Sequence, residues 1–331
     1  MNASSFPALL ERFFTERLLN QMGASPHTIA AYRDTFRLFL RFALERLGTA
    51  PCKLRMEDLD VKFVSRFLDH LENKRGNSTR TRNNRLAALH SFFQFVAIHE
   101  PALTLQCQRV LALPSKRFTR APVEFLTDEE TAALVSAPDP RKWIGRRDKA
   151  LLLVAVQTGL RNSEITSLCR RDVEFGVGAH VYCFGKGRKM RRTPLRPDVA
   201  AVLKEWMAQQ DGQPADPVFP SSNGGRLSAD ALQHLVAKHV ATARLHCLSL
   251  KAKKVKPHTL RHAAAMALLH RGVDLSVIAL WLGHESPETT QIYLHADMQL
   301  KEQALAHATA SGLKPDRFRP PDPLLAFLES L

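Results

Sequence analysis

Six side chains in the C-terminal part of the sequence are of the types that phosphoryl transfer without a metal calls for: Arg161, Lys186, His258, Arg261, His284 and Tyr293. Attack on a phosphodiester needs a nucleophile, cations that neutralise the equatorial oxygens, and a proton for the leaving alkoxide. Arg161 and Arg261 suit the second task, because a planar guanidinium grips phosphate oxygens in a fork that an ammonium lacks. Tyr293 is the candidate nucleophile, although a free phenol has a pKa near ~10 and is mostly protonated at neutral pH. Nearby arginines favour the phenolate, and a histidine can accept or relay the proton. His284 lies nine residues upstream of Tyr293 and His258 further back. Lys186, in G-K-G-R-K, suits protonation of the departing oxygen, with Lys189 as its rival.

Local context supports these assignments without proving that the six residues meet, since they span positions 161 to 293. Arg161 follows an apolar segment in T-G-L-R-N-S-E, with a glycine before it and Glu164 three residues on, able to orient a guanidinium. In H-T-L-R-H, His258 and Arg261 are three apart after Pro257 and share one face of a helix start. Taken singly, each residue has a plainer reading: a helical tyrosine packs, an arginine after a buried helix forms a structural ion pair, and a lysine in a basic run is one surface charge among several.

The elements that must position them read as an α-rich domain with one small antiparallel sheet. Thr127-Asp-Glu-Glu130 is a capping box ahead of Leu134 and Val135. A buried helix is expected over about Arg147 to Thr158. The β-prone pieces 180–184 and 192–195 flank Gly185 to Arg188 as a hairpin. Helices resume near Asp198, Asp230, His258 and Asp274.

The first 110 or so residues read instead as consecutive amphipathic helices, with Leu9, Leu10, Phe13, Phe14, Arg17 and Leu18 at helical spacing. Ser25-Pro26 marks an N-cap and first helical position. A third helix is expected from Asp60 to about Lys74 and a fourth after Asn77 or Ser78. The fourth is divided: Arg80, Arg82, Asn83, Asn84 and Arg85 precede an apolar stripe from Leu86 to Val96. Arginine and asparagine at a helix N-terminus suit phosphate and base-edge contacts, although most such runs are solvated faces.

Between Leu111 and Glu124, two prolines and four charges without helical period read as an extended linker. The boundaries expected are a helical DNA-binding domain at 1–112, a linker at 113–123, and a catalytic domain at 124–331 that includes a tail helix within 315–331. Length, with 331 residues, suits two domains.

Forty-seven Lys and Arg against 32 Asp and Glu leave a net charge of +15, spread over both halves. Such an excess on an otherwise ordinary globular composition predicts a polyanionic partner. An anionic membrane is the weaker partner: the most apolar run, Ala150 to Leu160, is about half a span, and Met1 to Arg12 has no secretory pattern, so a cytoplasmic protein is expected. The five cysteines have no C-x-x-C spacing and are expected to be reduced. There is no P-loop or G-x-G-x-x-G, hence no sign of a nucleotide cofactor.

The stretches T-G-L-R-N-S-E-I-T-S-L, G-K-G-R-K, H-T-L-R-H and L-G-H-E-S-P-E-T-T-Q-I-Y-L-H closely resemble the signature of the tyrosine recombinases, the phage-integrase and Xer-like family. The resemblance covers most of residues 124–305, and S-T-R-T-R-N-N-R-L-A-A-L-H-S-F-F is similar to that family's SAM-like core-binding domain. It implies a mainly α fold with a small antiparallel sheet, and two domains that clamp duplex DNA. Tyr293 would form a 3′-phosphotyrosyl link and free a 5′-hydroxyl. Arg161, Arg261 and His284 would stabilise the transferring phosphoryl group, His258 would assist proton transfer, and Lys186 would protonate the 5′-oxygen. Bond energy is kept in the protein–DNA link, so no ATP, metal or other cofactor is implied. The partners implied are double-stranded DNA and further copies of the chain, as a tetramer on two duplexes. Little chain precedes the first helical domain, so an additional arm-site-binding domain is not expected. Past Tyr293, Leu324, Leu325, Phe327 and Leu328 follow a proline-rich turn and need an apolar partner, which in relatives is a neighbouring protomer.

A DNA-binding regulator on the same scaffold that no longer cuts is the alternative from another class, and the filled set of six argues against it. A type IB topoisomerase-like enzyme shares the chemistry but not the recombinase-like motifs. A metal-dependent nuclease is weakest, because no compact carboxylate cluster is visible and His234 and His239 are five apart, off the spacing of helical metal ligands.

Overall fold

The computed structural model describes residues 5–119, 123–184, 190–284 and 288–296. The chain divides into two compact units, Met1–Arg120 and Ala121–Leu331.

The first unit is helical. Helix α1 (Phe6–Arg12) runs on into a π-helical segment, Phe13–Gln21. The wider turn differs from the single amphipathic helix expected: Phe13 and Leu18, five apart, are both fully buried, which suits i→i+5 pairing. Helix α2 (Pro26–Leu47) starts as its sequence directs. The Ser25 hydroxyl accepts from the Thr28 N–H at 3.2 Å, and the helix stops at Gly48 with φ of 65°. Asp60 caps α3 (Val61–Asn73), accepting from the Phe63 N–H at 2.7 Å. Ser78, not Asn77, caps α4 (Thr79–His99). A short α5 (Thr104–Leu111) packs back on α4. The core is aromatic: Phe13, Phe36, Phe39, Phe67 and Phe92 meet mostly edge to face.

The first turns of α4 differ from a free basic face. Arg82 is 6% exposed and donates to the Pro114 carbonyl at 3.2 Å. Asn83 exchanges two hydrogen bonds with the Lys116 backbone, at 2.8 and 3.1 Å. Arg85 reaches the Ala31 carbonyl at 3.0 Å and the Thr35 hydroxyl at 2.9 Å. These three side chains hold the unit together and pin the start of the expected linker, leaving Arg80 and Asn84 as the exposed members of the five.

In the second unit, α6 (Asp128–Ser136) begins with the Thr127 and Glu130 capping box. Helix α7 (Trp143–Thr158) starts one turn earlier than expected and is buried along most of its length. After the short α8 (Asn162–Ser167), strands β1 (Val173–Glu174), β2 (His180–Phe184) and β3 (Met190–Pro194) form an antiparallel sheet in that order, with Val181 opposite both Val173 and Thr193. The expected hairpin tip, with Lys186 and Lys189, lies outside the described residues, as does the tail helix.

Helices α9 (Pro197–Ala208), α10 (Ala229–Ala243), α11 (Pro257–His270), α12 (Leu275–Leu282) and α13 (Glu288–Ala296) complete the unit. His239 of α10 is buried and pairs with Asp148 of α7 at 2.7 Å, and Asp148 also binds Arg147 at 2.7 Å. The histidine thus serves the core. A separate small cluster of Ala265, Met266, Leu269, Ile278 and Leu282 encloses Tyr293. No described helix is long and apolar enough to cross a membrane. All five cysteines are free, three of them buried.

Candidate active site

The site is assembled where α7 and α12 end. Both stop at a left-handed glycine, Gly159 with φ of 63° and Gly283 with φ of 65°. A Cβ at Gly159 would stand 2.6 Å from Leu282 Cδ2 and 3.1 Å from Ala264 Cβ, so only glycine lets the end of α7 sit this close to α11 and α12. The carbonyls left unpaired at these helix ends carry partial negative charge. Two guanidiniums take them up. Arg261, 2% exposed, donates to the Gly159 and Leu282 carbonyls at 2.7 Å each. Arg161 donates to the Gly283 carbonyl at 2.6 Å. A guanidinium has five N–H groups, so each arginine is fixed by the main chain with donors to spare.

Glu164 fixes Arg161 a second time. Its Oε2 accepts the Arg161 backbone N–H at 2.7 Å, and its Oε1 the Arg161 guanidinium at 3.0 Å. Arg191 of β3 closes a fork on the same carboxylate at 2.8 and 2.7 Å, and donates to the Trp281 carbonyl at 3.2 Å. Burial alone raises the Glu164 pKa, but the Arg191 hydrogen bonds, the Arg161 N–H and both positive charges outweigh it and hold the carboxyl below its ordinary value. Arg191 thereby ties the sheet to the α7–α8 junction and to α12.

Tyr293 projects from α13 into this corner and is 1% exposed. Burial pushes its phenol up to about 12, against the opposing pull of the Arg261 charge. His284 lies parallel to the phenol ring, with centroids 6.4 Å apart and planes 12° apart, and its Nδ1 meets the Thr290 hydroxyl at 2.7 Å. The phenol hydroxyl meets His262 Nδ1 at 3.0 Å. His258 packs on His262 with centroids 4.4 Å apart. Burial, then the positive charges of Arg261 and Arg161, lowers His284 to about 4. Burial, then His258 and Arg261, lowers His262 to about 4. His258 is lowered too, by desolvation where it packs and by the same two arginines. Burial, then the positive charge of Arg161, brings even Arg261 down, to about 10. A corner this rich in cation and this short of anion is built to receive negative charge.

Five of the six sequence candidates, Arg161, His258, Arg261, His284 and Tyr293, therefore lie in one neighbourhood, with Glu164 beneath them. Lys186 lies outside the described residues. Sequence reading passed over Arg191, lost in the run K-G-R-K-M-R-R, and His262, the last letter of H-T-L-R-H. The second was findable: four residues after His258, it falls on the same helical face. Among the described residues, no group of three or more His, Cys, Asp or Glu could hold a metal ion.

A fold of this kind, with paired arginines and histidines around a tyrosine, defines a class, and comparison with known proteins gives the same one. Residues 124–300 match the phage integrase family model, and residues 11–100 match the phage integrase N-terminal SAM-like domain. The chain belongs to the phage integrase family and is a tyrosine recombinase. It is 53% identical over 328 residues to the Sinorhizobium fredii protein y4rC, named as an integrase/recombinase, with 99% of each chain covered. It is 32% identical to the tyrosine recombinase XerC of Pelobacter propionicus, over 92% of this chain and 97% of that one. Among solved structures, XerH site-specific recombinase bound to a palindromic difH substrate shares the fold with a TM-score of 0.67 at 22% identity, covering 86% of this chain and 81% of that one. The Tn1549 transposon integrase in complex with circular intermediate DNA also gives 0.67, at 16% identity, covering 90% and 99%.

Proposed function

We propose that this recombinase cuts and rejoins duplex DNA with Tyr293 as the nucleophile. The phenol oxygen attacks the scissile phosphorus, a 3′-phosphotyrosyl link forms, and the 5′-oxygen leaves with a proton. Arg161 and Arg261 bind the non-bridging oxygens through the donors their main-chain contacts leave over, with His284 beside them. Lys186 supplies the proton to the 5′-oxygen. The observation that carries this reading is the shared tethering of Arg161 and Arg261 to the ends of α7 and α12, next to the phenol of Tyr293. Donors fixed before substrate arrives need no reorganisation as charge develops, which is where electrostatic catalysis gains most.

The enzyme in this proposal is cytoplasmic and works as a tetramer on two duplexes, with the segment 315–331 exchanged between copies; that segment lies outside the described residues. A simple or transposon-borne recombinase is the favoured kind, supported by a full-length relative named as an integrase/recombinase. Arg80 and Asn84, exposed on α4, contact DNA from the first unit, with Arg82, Asn83 and Arg85 buttressing that turn. Incubation with nicked DNA from around the gene, in the presence of a chelator, tests the proposal. A denaturant-stable adduct is expected with the wild-type chain and none with Tyr293→Phe. Equal adduct from both would overturn it, and binding without any adduct on a randomised DNA pool would favour the non-cutting regulator.

A further inference from the structure

Within the mechanism proposed above, a general base for the nucleophile stands within reach of the phenol oxygen, and of the two histidines on α11 it is His262 that is hydrogen-bonded to it. His258 is exposed, His262 is half-buried beneath it, and Tyr293 is buried beneath that. The three rings form a file, with centroids 4.4 Å apart in the first step and 5.5 Å in the second. Only His262 in this file is hydrogen-bonded to the hydroxyl, at 3.0 Å. Both histidines lie on α11 one turn apart, and Arg261 stands between them in sequence, fixed by two main-chain carbonyls. The geometry of His262 is therefore set by the same helix that sets a phosphate-binding arginine.

We infer that His262 is a catalytic residue: its Nδ1 accepts the Tyr293 proton as the phenol oxygen bonds to phosphorus. A phenol is the better donor and neutral imidazole the better acceptor of this pair, which puts the ring hydrogen on Nε2. In the cleavage step the O–H bond of Tyr293 breaks, the Nδ1–H bond of His262 forms, the phenol oxygen bonds to phosphorus, and the phosphorus–5′-oxygen bond breaks. The electron pair of that last bond stays on the 5′-oxygen, which takes a proton from the acid assigned above to Lys186. In the rejoining step the same proton returns from His262 to the departing phenol. Burial and the neighbouring cations keep His262 neutral and ready to accept before DNA arrives. An incoming phosphodiester brings the negative charge that this cation-rich corner lacks and so strengthens His262 as a base at the moment it is needed.

The inference rests on Tyr293 being the nucleophile, and the test separates the two claims. Covalent-complex formation is measured for wild type, His262→Ala, His262→Asn and Tyr293→Phe on nicked DNA carrying either an ordinary 5′-oxygen or a 5′-bridging sulfur at the cleavage site. The sulfur leaves without needing a proton, so defects in the acid vanish on it and defects in activating the phenol do not. Asparagine places an amide oxygen near the Nδ1 position and can hold the phenol, but cannot take its proton. The expected result is a loss of about 10²–10⁴-fold for both His262 variants on both substrates, with DNA binding and melting temperature of His262→Asn close to wild type. Full activity of His262→Asn, faster cleavage by either variant, or rescue of both by the sulfur substrate would overturn the inference. An adduct formed by Tyr293→Phe would instead overturn the nucleophile assignment beneath it.

Discussion

Replacing Glu164 by glutamine should destabilise the second unit severely. The carboxylate is 5% exposed and receives four hydrogen bonds, two from Arg161 and two from Arg191. An amide keeps one oxygen but turns an NH2 toward donors, so Arg161 and Arg191 each lose one of their two contacts and both lose the buried anion between them. Hydrogen bonds to charged groups contribute about 1.5–3 kcal/mol each, and breaking a buried ion pair from one side costs about 3–5 kcal/mol. For a unit of this size, about 2–4 °C is lost per kcal/mol, which gives a fall in Tm of roughly 6–20 °C. The sign with pH follows from the lowered Glu164 pKa. Its stabilisation is present above the unfolded carboxyl value of about 4.3 and is lost as pH falls through the lower folded value. Thermal unfolding of wild type and Glu164→Gln at a series of pH values checks both points: a wide gap at pH 7 that narrows below about pH 4. A gap under 1 °C at neutral pH, or one that stays constant into acid, would refute the reasoning.

Three further outcomes are expected. Gly159→Ala should lose about 1–3 kcal/mol, from left-handed strain plus the 2.6 Å approach to Leu282; Gly48→Ala, at φ of 65° with nothing within 4 Å, should lose only the strain, and denaturant titration compares the two. Stability should fall as pH drops from about 6.5 to 4, because the unfolded chain takes up protons that folded His262 and His284, each lowered to about 4, decline. The slope for each half-buried ring should be a solvent-screened fraction of ~1.4 kcal/mol per pH unit, and His284→Gln should flatten it in acid-unfolding curves. Arg261→Lys should cleave about 10²–10³-fold more slowly while binding DNA nearly as well, since attraction is spread over many cations and falls steeply with salt; a parallel loss of binding in filter or gel assays would contradict that division.

Much of this was legible because it is local. Ser25-Pro26, Asp60, Ser78 and the Thr127–Glu130 box each start a helix through contacts within three residues. The residue types around Tyr293 could be read from its motifs, although the meeting of Arg161 with the end of α12, 122 positions away, could not. What escaped reading is tertiary. Arg191 looks like its basic neighbours until β3 carries it onto Glu164. Arg82, Asn83 and Arg85 have the composition of a DNA-contacting turn, yet long-range carbonyl and hydroxyl partners at 31, 35, 114 and 116 claim them. The π-helical turn at Phe13–Gln21 is set by packing of an aromatic core that no helical period announces.

The most direct test of the central claim is to locate the covalent bond. The protein is trapped on nicked DNA, the adduct is digested with protease and nuclease, and the modified peptide is sequenced by mass spectrometry. The expected product is a nucleotide linked through its 3′-phosphate to Tyr293, on the peptide T-T-Q-I-Y-L-H. A nucleotide on any other residue, or cleaved DNA with no protein attached, would contradict it.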